Sequence, residues 1–127
     1  MPGALAGRLL AVVGSGVGLW LLGACAQAPV RVSGDPAYSS LAPRAEVLAR
    51  NTVQEALETA RSQTSLSWTY IEDGSRGEIT PLRTFRSSAG FYCRVYLEVV
   101  DAGDEGPARR QRTACRDNDG LWKPIRS

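Results

Sequence analysis

The first apolar stretch of the chain is continuous. Leu9 through Ala24 contains no charged residue, and Arg8 is the only charge before it. A basic start, an apolar middle and a small-residue end are typical of a secretory signal peptide. A membrane-spanning helix is the alternative, because the stretch approaches the roughly 20 residues that a bilayer requires, but Gly14, Gly16 and Gly18 weaken a permanent helix. We therefore predict a cleaved signal peptide over residues 1–24.

Apolar positions return with helical spacing between Pro43 and Ser62. Spacings of three and four relate Leu48 or Ala49, Val53, Ala56, Leu57 and Ala60. This pattern predicts an amphipathic helix with proline in its first turn, where the missing N–H is harmless. Thr52 and Glu55 also fit a capping box, so a break near Asn51 stays open.

The segment between the signal and the helix has no such period. From Cys25 to about Leu41 it is rich in Ala, Pro, Gly and Ser. That composition is typical of a flexible tether. We predict a tether over residues 25–42 and a single small domain over residues 43–127.

From Leu66 the apolar period changes to two, which predicts β-strands. Strands are expected at Leu66–Ile71, Arg76–Arg86, Phe91–Val100, Arg109–Arg116 and Leu121–Ile125. Turn residues separate them, and Pro81 suits a sheet edge or a bulge. One N-terminal helix packed on an antiparallel meander of four to five strands gives an α+β fold.

We expect the three cysteines to serve two purposes, lipidation and disulfide formation. Leu22-Gly23-Ala24-Cys25 matches a bacterial lipobox, so we predict lipidation at Cys25 and a membrane anchor. Cys93 and Cys115 lie at equal distances from a hairpin turn centred on Asp104, which places them opposite each other across an antiparallel pair. Because an exported chain reaches an oxidising compartment, we predict a disulfide between them.

The same register assigns the other side chains of the hairpin to the two faces of the sheet. Phe91, Cys93, Val95, Leu97 and Val99 share one face, which we expect to cover the helix. The opposite face is predicted to carry Tyr92, Arg94, Tyr96, Arg110, Arg112 and Arg116, with Glu98 opposite Arg110. It is interpreted either as a solvated outer face of cross-strand pairs or as an anion-binding surface. The anions considered are lipid A phosphates, peptidoglycan and an acidic patch on an envelope protein.

The charge and composition of the chain limit its possible partners and catalytic groups. The formal charge is +2, and loss of Arg8 lowers it to about +1, which gives no case for nucleic acid. The chain has no histidine and no Gly-x-Ser-x-Gly motif, so only carboxylates and hydroxyls remain for catalysis. Glu72-Asp73 and Asp117-Asn118-Asp119 are the carboxylate pairs, and both lie in predicted turns. The second also lacks the later glutamate of a calcium loop. We expect no catalytic residue, no metal and no cofactor.

A series of short motifs follows in order between Val53 and Ile125. They are Ala56-Leu57-Glu58, Trp68, Gly77-Glu78-Ile79-Thr80-Pro81, Arg83-Thr84-Phe85, Tyr92-Cys93-Arg94, Ala114-Cys115-Arg116 and Asp119-Gly120-Leu121-Trp122. In this order the chain resembles the C-terminal domain of the rickettsial-type 17 kDa surface antigen family of outer-membrane lipoproteins. The resemblance implies an envelope location, surface antigenicity and no enzymatic activity. The long glycine-zipper segment of many such antigens is missing, because Gly14 to Gly18 lies inside the signal.

These observations predict a lipid-anchored surface antigen of the outer membrane, periplasmic or surface-exposed, acting as a structural or interaction module. A small ligand-binding or inhibitor lipoprotein is the alternative, with Trp68, Tyr70 and Trp122 lining a pocket between helix and sheet. A carboxylate-based hydrolase is favoured least. The expected partners are the membrane, through lipidated Cys25, and lipopolysaccharide, peptidoglycan or an envelope protein.

Overall fold

A computed structural model describes residues 3, 14, 35–103 and 106–126 of the chain. A 3-10 helix, Pro36–Tyr38, precedes the α-helix α1, Pro43–Thr59. The strands are β1 Leu66–Thr69, β2 Arg76–Arg86, β3 Tyr92–Asp101, β4 Ala108–Arg116 and β5 Trp122–Ile125. They form one antiparallel sheet in the order β1-β2-β3-β4-β5. The predicted α+β class, with one helix on a meander, is confirmed, while Cys25 and all of the predicted signal except residues 3 and 14 lie outside the described residues.

Helix α1 begins at Pro43 as predicted and ends at Thr59, three residues before the predicted Ser62. No break occurs near Asn51. The hydroxyl of Thr52 donates to the carbonyl of Leu48 at 2.8 Å, so it bonds back along the helix instead of capping a new one. In the described part of the chain, no helix is both long enough and apolar enough to cross a membrane.

The predicted strand limits differ from the observed ones by at most two residues, because strand ends depend on contacts that a periodicity does not contain. The register of β2 against β3 shifts between Pro81 and Arg83. A proline has no N–H to donate to a ladder. The predicted irregularity at Pro81 is therefore a bulge in β2.

The β3–β4 hairpin has the register that its turn predicts. Cys93 pairs with Cys115, and a disulfide joins them. Glu98 pairs with Arg110, also as predicted. The turn residue Asp104, around which the prediction was centred, lies outside the described residues.

The face of the sheet that covers α1 is the opposite of the predicted one. Arg94, Tyr96 and Glu98 are buried, at 7%, 0% and 1% exposure, and Arg94 bonds to the end of α1. The side of α1 toward the sheet carries small side chains, with Ala45, Ala49 and Ala56 fully buried. A flat helix surface of alanines leaves room for large sheet residues, because interiors pack at crystal-like density. Strand β3 therefore turns its longer side chains toward the helix.

The predicted tether is too long at its C-terminal end. Tyr38 and Leu41 are buried, at 4% and 9% exposure, and belong to the hydrophobic core. The hydroxyl of Tyr38 donates to Glu98, and Asp35 pairs with Arg112. Residues 35–42 are therefore part of the domain, and their partners are supplied by strands far along the sequence. The tether predicted for residues 25–34 lies outside the described residues.

Gly77 lies where β1 and β2 pair, opposite Trp68. A methyl group at this position would lie 2.4 Å from the indole Nε1 of Trp68 and 2.6 Å from the carbonyl oxygen of Val99. The indole, only 4% exposed, occupies the space that a side chain at residue 77 would take. Glycine is therefore required here for packing.

We expect Gly77→Ala to lower the free energy of unfolding by about 1–3 kcal/mol, because the new methyl group overpacks the core against a rigid backbone carbonyl. Urea denaturation followed by tryptophan fluorescence measures the change. Ser67→Ala, at an exposed position of β1, is the control and should change the free energy of unfolding by less than about 0.5 kcal/mol. Equal stability of Gly77→Ala and the parent would contradict the packing argument.

The disulfide closes a loop with a sequence separation of 22 residues. On the chain-entropy model such a loop contributes about 3 kcal/mol. The double variant Cys93→Ala, Cys115→Ala should therefore unfold at lower denaturant concentration than the oxidised parent. Adding a reductant should destabilise the parent and leave the double variant unchanged. A parent that is insensitive to reductant would contradict the assigned contribution.

Candidate functional site

The six predicted anion-binding residues do not form one exposed ladder. They are Tyr92, Arg94, Tyr96, Arg110, Arg112 and Arg116, and they lie on the side of β3 and β4 that faces α1. The structure divides them into a helix cap, a buried charge cluster and an open groove. Arg110 is exposed near the end of the sheet. Whether any of the six binds an anion stays a prediction.

Arg94 caps the end of the helix. Its Nη1 donates to the carbonyl oxygens of Leu57 and Ala60, both at 2.8 Å, and to that of Ala56 at 3.4 Å. The last carbonyls of a helix have no partner within it and form the negative end of its dipole. Burial lowers the pKa of Arg94 from its ordinary value, but an arginine stays charged. A cation from the sheet therefore satisfies the C-terminus of α1.

Glu98 is the centre of a buried charge cluster. Its carboxylate, 1% exposed, accepts from the hydroxyl of Tyr38 and, at 3.0 Å, from Nη1 of Arg112. The other nitrogen of Arg112, Nη2, pairs with Asp35. One guanidinium thus bridges two carboxylates, and a buried charge of this kind is tolerated only when it is paired. Together these contacts hold residues 35–41 against the sheet.

The ionisation of the cluster follows from its surroundings. Burial, with the negative charge of Glu98, raises the pKa of Tyr38, so the phenol remains a donor. Burial alone would raise the pKa of Asp35, but the amide of Ala37 and the guanidinium of Arg112 outweigh it and hold the pKa below 3.8. Asp35 is therefore ionised at neutral pH.

A third set of contacts joins α1 to β5. Glu58 accepts from Nε and Nη2 of Arg116 at 3.0 and 3.1 Å, and from the indole of Trp122 at 2.8 Å. One turn earlier, the amide side chain of Gln54 bonds to both the carbonyl and the N–H of Trp122, at 2.6 and 2.9 Å. The contacts with Arg116 and Trp122 lower the pKa of Glu58.

Gln54 and Glu58 were not among the predicted contact residues. Their spacing of four, beside the apolar stripe, is the signal that indicates a polar contact along the same edge of the helix. Which strand they meet could not be read from that spacing. The contact partner follows from the strand order of the folded sheet, in which β5 is an edge strand.

An open groove of about 450 Å³ lies beside these contacts. Three of the six predicted residues meet in it, namely Tyr92, Arg94 and Arg116, together with Thr84 and Trp122. Tyr92 is 54% exposed, and the guanidinium carbon of Arg86 lies 4.6 Å from the centre of its ring. We call this depression the α1–β5 groove.

The predicted carboxylate pairs order turns. Asp73 accepts from the amide and the hydroxyl of Ser75 at 2.8 and 2.6 Å. Asp117 accepts from the amides of Asp119 and Leu121, both at 2.9 Å, and pairs with Lys123. Within residues 35–103 and 106–126, no three side chains of His, Cys, Asp or Glu are close enough together to hold a metal ion.

The two tryptophans of the predicted aromatic pocket lie on different strands of the sheet. Trp68 lies on β1 and Trp122 on β5, which are the two edge strands of the sheet. Both are buried in the core, at 4% and 6% exposure. Trp68 and Trp122 line two different depressions of the described domain, and Tyr70 lines neither of these two.

Comparison with known proteins gives one family and a group of similar proteins. The model of the family described as 17 kDa outer membrane surface antigen matches residues 55–123. The 17 kDa surface antigen of Rickettsia felis is 41% identical over 78 residues, which cover 61% of this chain and 48% of that protein. That of Rickettsia prowazekii is 40% identical over 77 residues, covering 58% and 46%. The chain thus spans about half the length of the curated relatives it matches. No solved structure matches it.

The lowered pKa of Asp35 predicts a pH dependence of stability. A carboxyl group whose pKa is lower in the folded state stabilises the fold above its unfolded-state pKa, and this contribution is lost as the pH falls through the folded-state value. We expect Asp35→Asn to lower the free energy of unfolding at pH 7 by about 1–2 kcal/mol. The difference from the parent should shrink as the pH falls from about 6 to 3.

Denaturant unfolding at a series of pH values measures this difference. Asp119→Asn, in an exposed turn, is the matched control and should follow the parent throughout. A difference between Asp35→Asn and the parent that stays constant down to pH 3 would show that the charge of Asp35 is not what stabilises the domain.

Proposed function

Because the chain belongs to the 17 kDa outer membrane surface antigen family, we propose that it is a lipid-anchored surface antigen of a bacterial outer membrane. Its domain serves as a structural or interaction module and carries out no catalysis. The observation that carries this proposal is the family match over residues 55–123, which includes the C-terminal end of α1 and the whole sheet except its last two residues. The matched relatives are named surface antigens.

The anchor is argued from the sequence around Cys25. Leu22, Gly23 and Ala24 precede it as in a lipobox, and acyl chains on this residue would hold the chain at the membrane. The first residue with a described contact to the sheet is Asp35. The segment between Cys25 and Asp35 spans at most about 36 Å when fully extended. The domain would therefore act close to the membrane surface.

A non-catalytic role is supported by how the described domain uses its charges. Asp73 and Asp117 order turns, and Glu98 joins the N-terminal segment to the sheet. Glu58 joins the helix to β5. These carboxylates are engaged in holding elements together, which is the expected use in a structural module.

Replacement of the proposed lipidated residue tests the anchor. We expect Cys25→Ser to abolish incorporation of radioactive palmitate, because no acyl chain can be attached. Globomycin, which blocks lipoprotein signal cleavage, should cause the unprocessed parent to accumulate. Ala28→Ser, three residues beyond the lipobox, is the control and should behave as the parent.

A Cys25→Ser product that is still labelled and membrane-bound would contradict the proposed anchor. Protease treatment of intact cells tests the surface location separately. We expect fragments of the domain to be released from cells whose periplasmic marker stays intact. Complete protection of the domain would place it on the periplasmic side and overturn the surface assignment alone.

A further inference from the structure

The α1–β5 groove combines a fixed, accessible arginine with an exposed aromatic ring. We propose that it is a binding site for a carboxylate group, carried by a sugar acid or by the end of a peptide. The site is argued from its own contacts. Only the choice of envelope-derived probes rests on the proposed function.

Arg116 supplies the direct contact. Glu58 occupies one edge of its guanidinium, formed by Nε and Nη2, at 3.0 and 3.1 Å. The other edge, formed by Nη1 and the second Nη2 hydrogen, has no partner among the residues that the structure describes. The side chain of Arg116 is 42% exposed, so a ligand can reach this edge. A guanidinium edge matches the two oxygens of a carboxylate in a bidentate pair.

The orientation of this arginine is set before any ligand arrives. Its guanidinium lies beside Gly120, since a methyl group added at that residue would be 3.2 Å from Nη2. Glu58 is in turn fixed by the indole of Trp122. A guanidinium held from two sides loses little conformational freedom on binding, which favours affinity.

The charge around the groove favours an anion. Arg94 lies beneath it without a carboxylate partner in the described part of the chain, and its Nε is buried and unbonded there. Arg86 adds a second cation above Tyr92. Glu58 is the single described carboxylate lining the groove, so it offsets only one of the three arginines. A single free guanidinium edge also suits the planar carboxylate.

The wall of the groove suits the group that bears the carboxylate. Tyr92 presents an exposed ring, on which a sugar ring or an apolar side chain can pack. Thr84 lines the same groove. Two envelope chemistries supply such a carboxylate, namely the lactyl group of a muramic acid and the terminal residue of a peptide.

The test uses the chain as purified from cells, with or without a lipid on Cys25, in a nonionic detergent that carries neither carboxylate nor phosphate. The indole N–H of Trp122 is the reporter in nitrogen-15 NMR spectra, because it bonds to Glu58 at the groove. Its signal is assigned with Trp122→Phe. The chain is titrated separately with N-acetylmuramic acid, N-acetyl-D-alanyl-D-alanine, the amide of that dipeptide and inorganic phosphate.

We expect saturable shifts of the Trp122 indole signal with at least one carboxylate and none with the dipeptide amide. Arg116→Lys keeps the charge and removes the bidentate edge, so binding should weaken by about tenfold or more. Arg109→Lys, an exposed arginine on the same strand outside the groove, is the matched control and should bind as the parent. Unchanged amide spectra elsewhere in both variants show that each remains folded.

The separate titrations with N-acetylmuramic acid and with the dipeptide identify which group supplies the carboxylate. Binding of both supports recognition of the carboxylate alone. The proposal is overturned if neither carboxylate shifts the signal, if the amide shifts it equally, or if phosphate binds more tightly. It is also overturned if Arg116→Lys binds as the parent. None of these results depends on lipidation of Cys25, so failure of the anchor and failure of this site are distinguishable.

Discussion

A single buried guanidinium decides how the helix meets the sheet. Arg94 extends from β3 to three carbonyl oxygens at the end of α1, and α1 has no basic residue of its own in its last turn. The negative end of the helix is therefore satisfied from another element. This contact requires Arg94 to face the helix, and the alternation of a strand then brings Tyr96 and Glu98 to the same side. The core between helix and sheet therefore lies on the side of β3 that carries these three residues.

The buried charges on this side favour one arrangement of the chain over others. An apolar cluster of equal volume can stabilise a fold as well as an ion pair does, but breaking a buried pair is costly. Arg112 meets both Glu98 and Asp35, so it fixes β4, β3 and the segment before α1 in one geometry. Tyr38 completes the cluster from the same segment. The N-terminal segment is thereby held by specific partners and not by apolar burial alone.

Local patterns were sufficient for α1, the five strands and the hairpin. The period of two predicted the strands, and Pro81 indicated an edge or a bulge. The positions of Cys93 and Cys115 predicted the register of the β3–β4 hairpin. The buried face could not be predicted in this way, because β3 carries apolar residues on both sides and the partners of Arg94 are backbone carbonyls, which have no signature in a side-chain pattern. The role of Asp35 was hidden for a related reason, since Arg112 lies far along the sequence. The α1–β5 groove likewise combines residues of α1, β2, β3, β4 and β5, so only its individual arginines and tyrosine could be anticipated.

The disulfide affects more than the free energy of unfolding. It joins residues 22 apart, whereas the contacts of Arg94 with α1 span 34 to 38 residues, and a shorter loop loses less entropy when it closes. A slip of one residue in a strand pair turns the side chains of one strand to the other face. Such a slip in the β3–β4 hairpin would remove either Arg94 or Arg112 from the helix side. Oxidation of the two cysteines excludes that misfolded hairpin, so the bond preserves the sidedness on which the helix cap and the buried charge cluster depend.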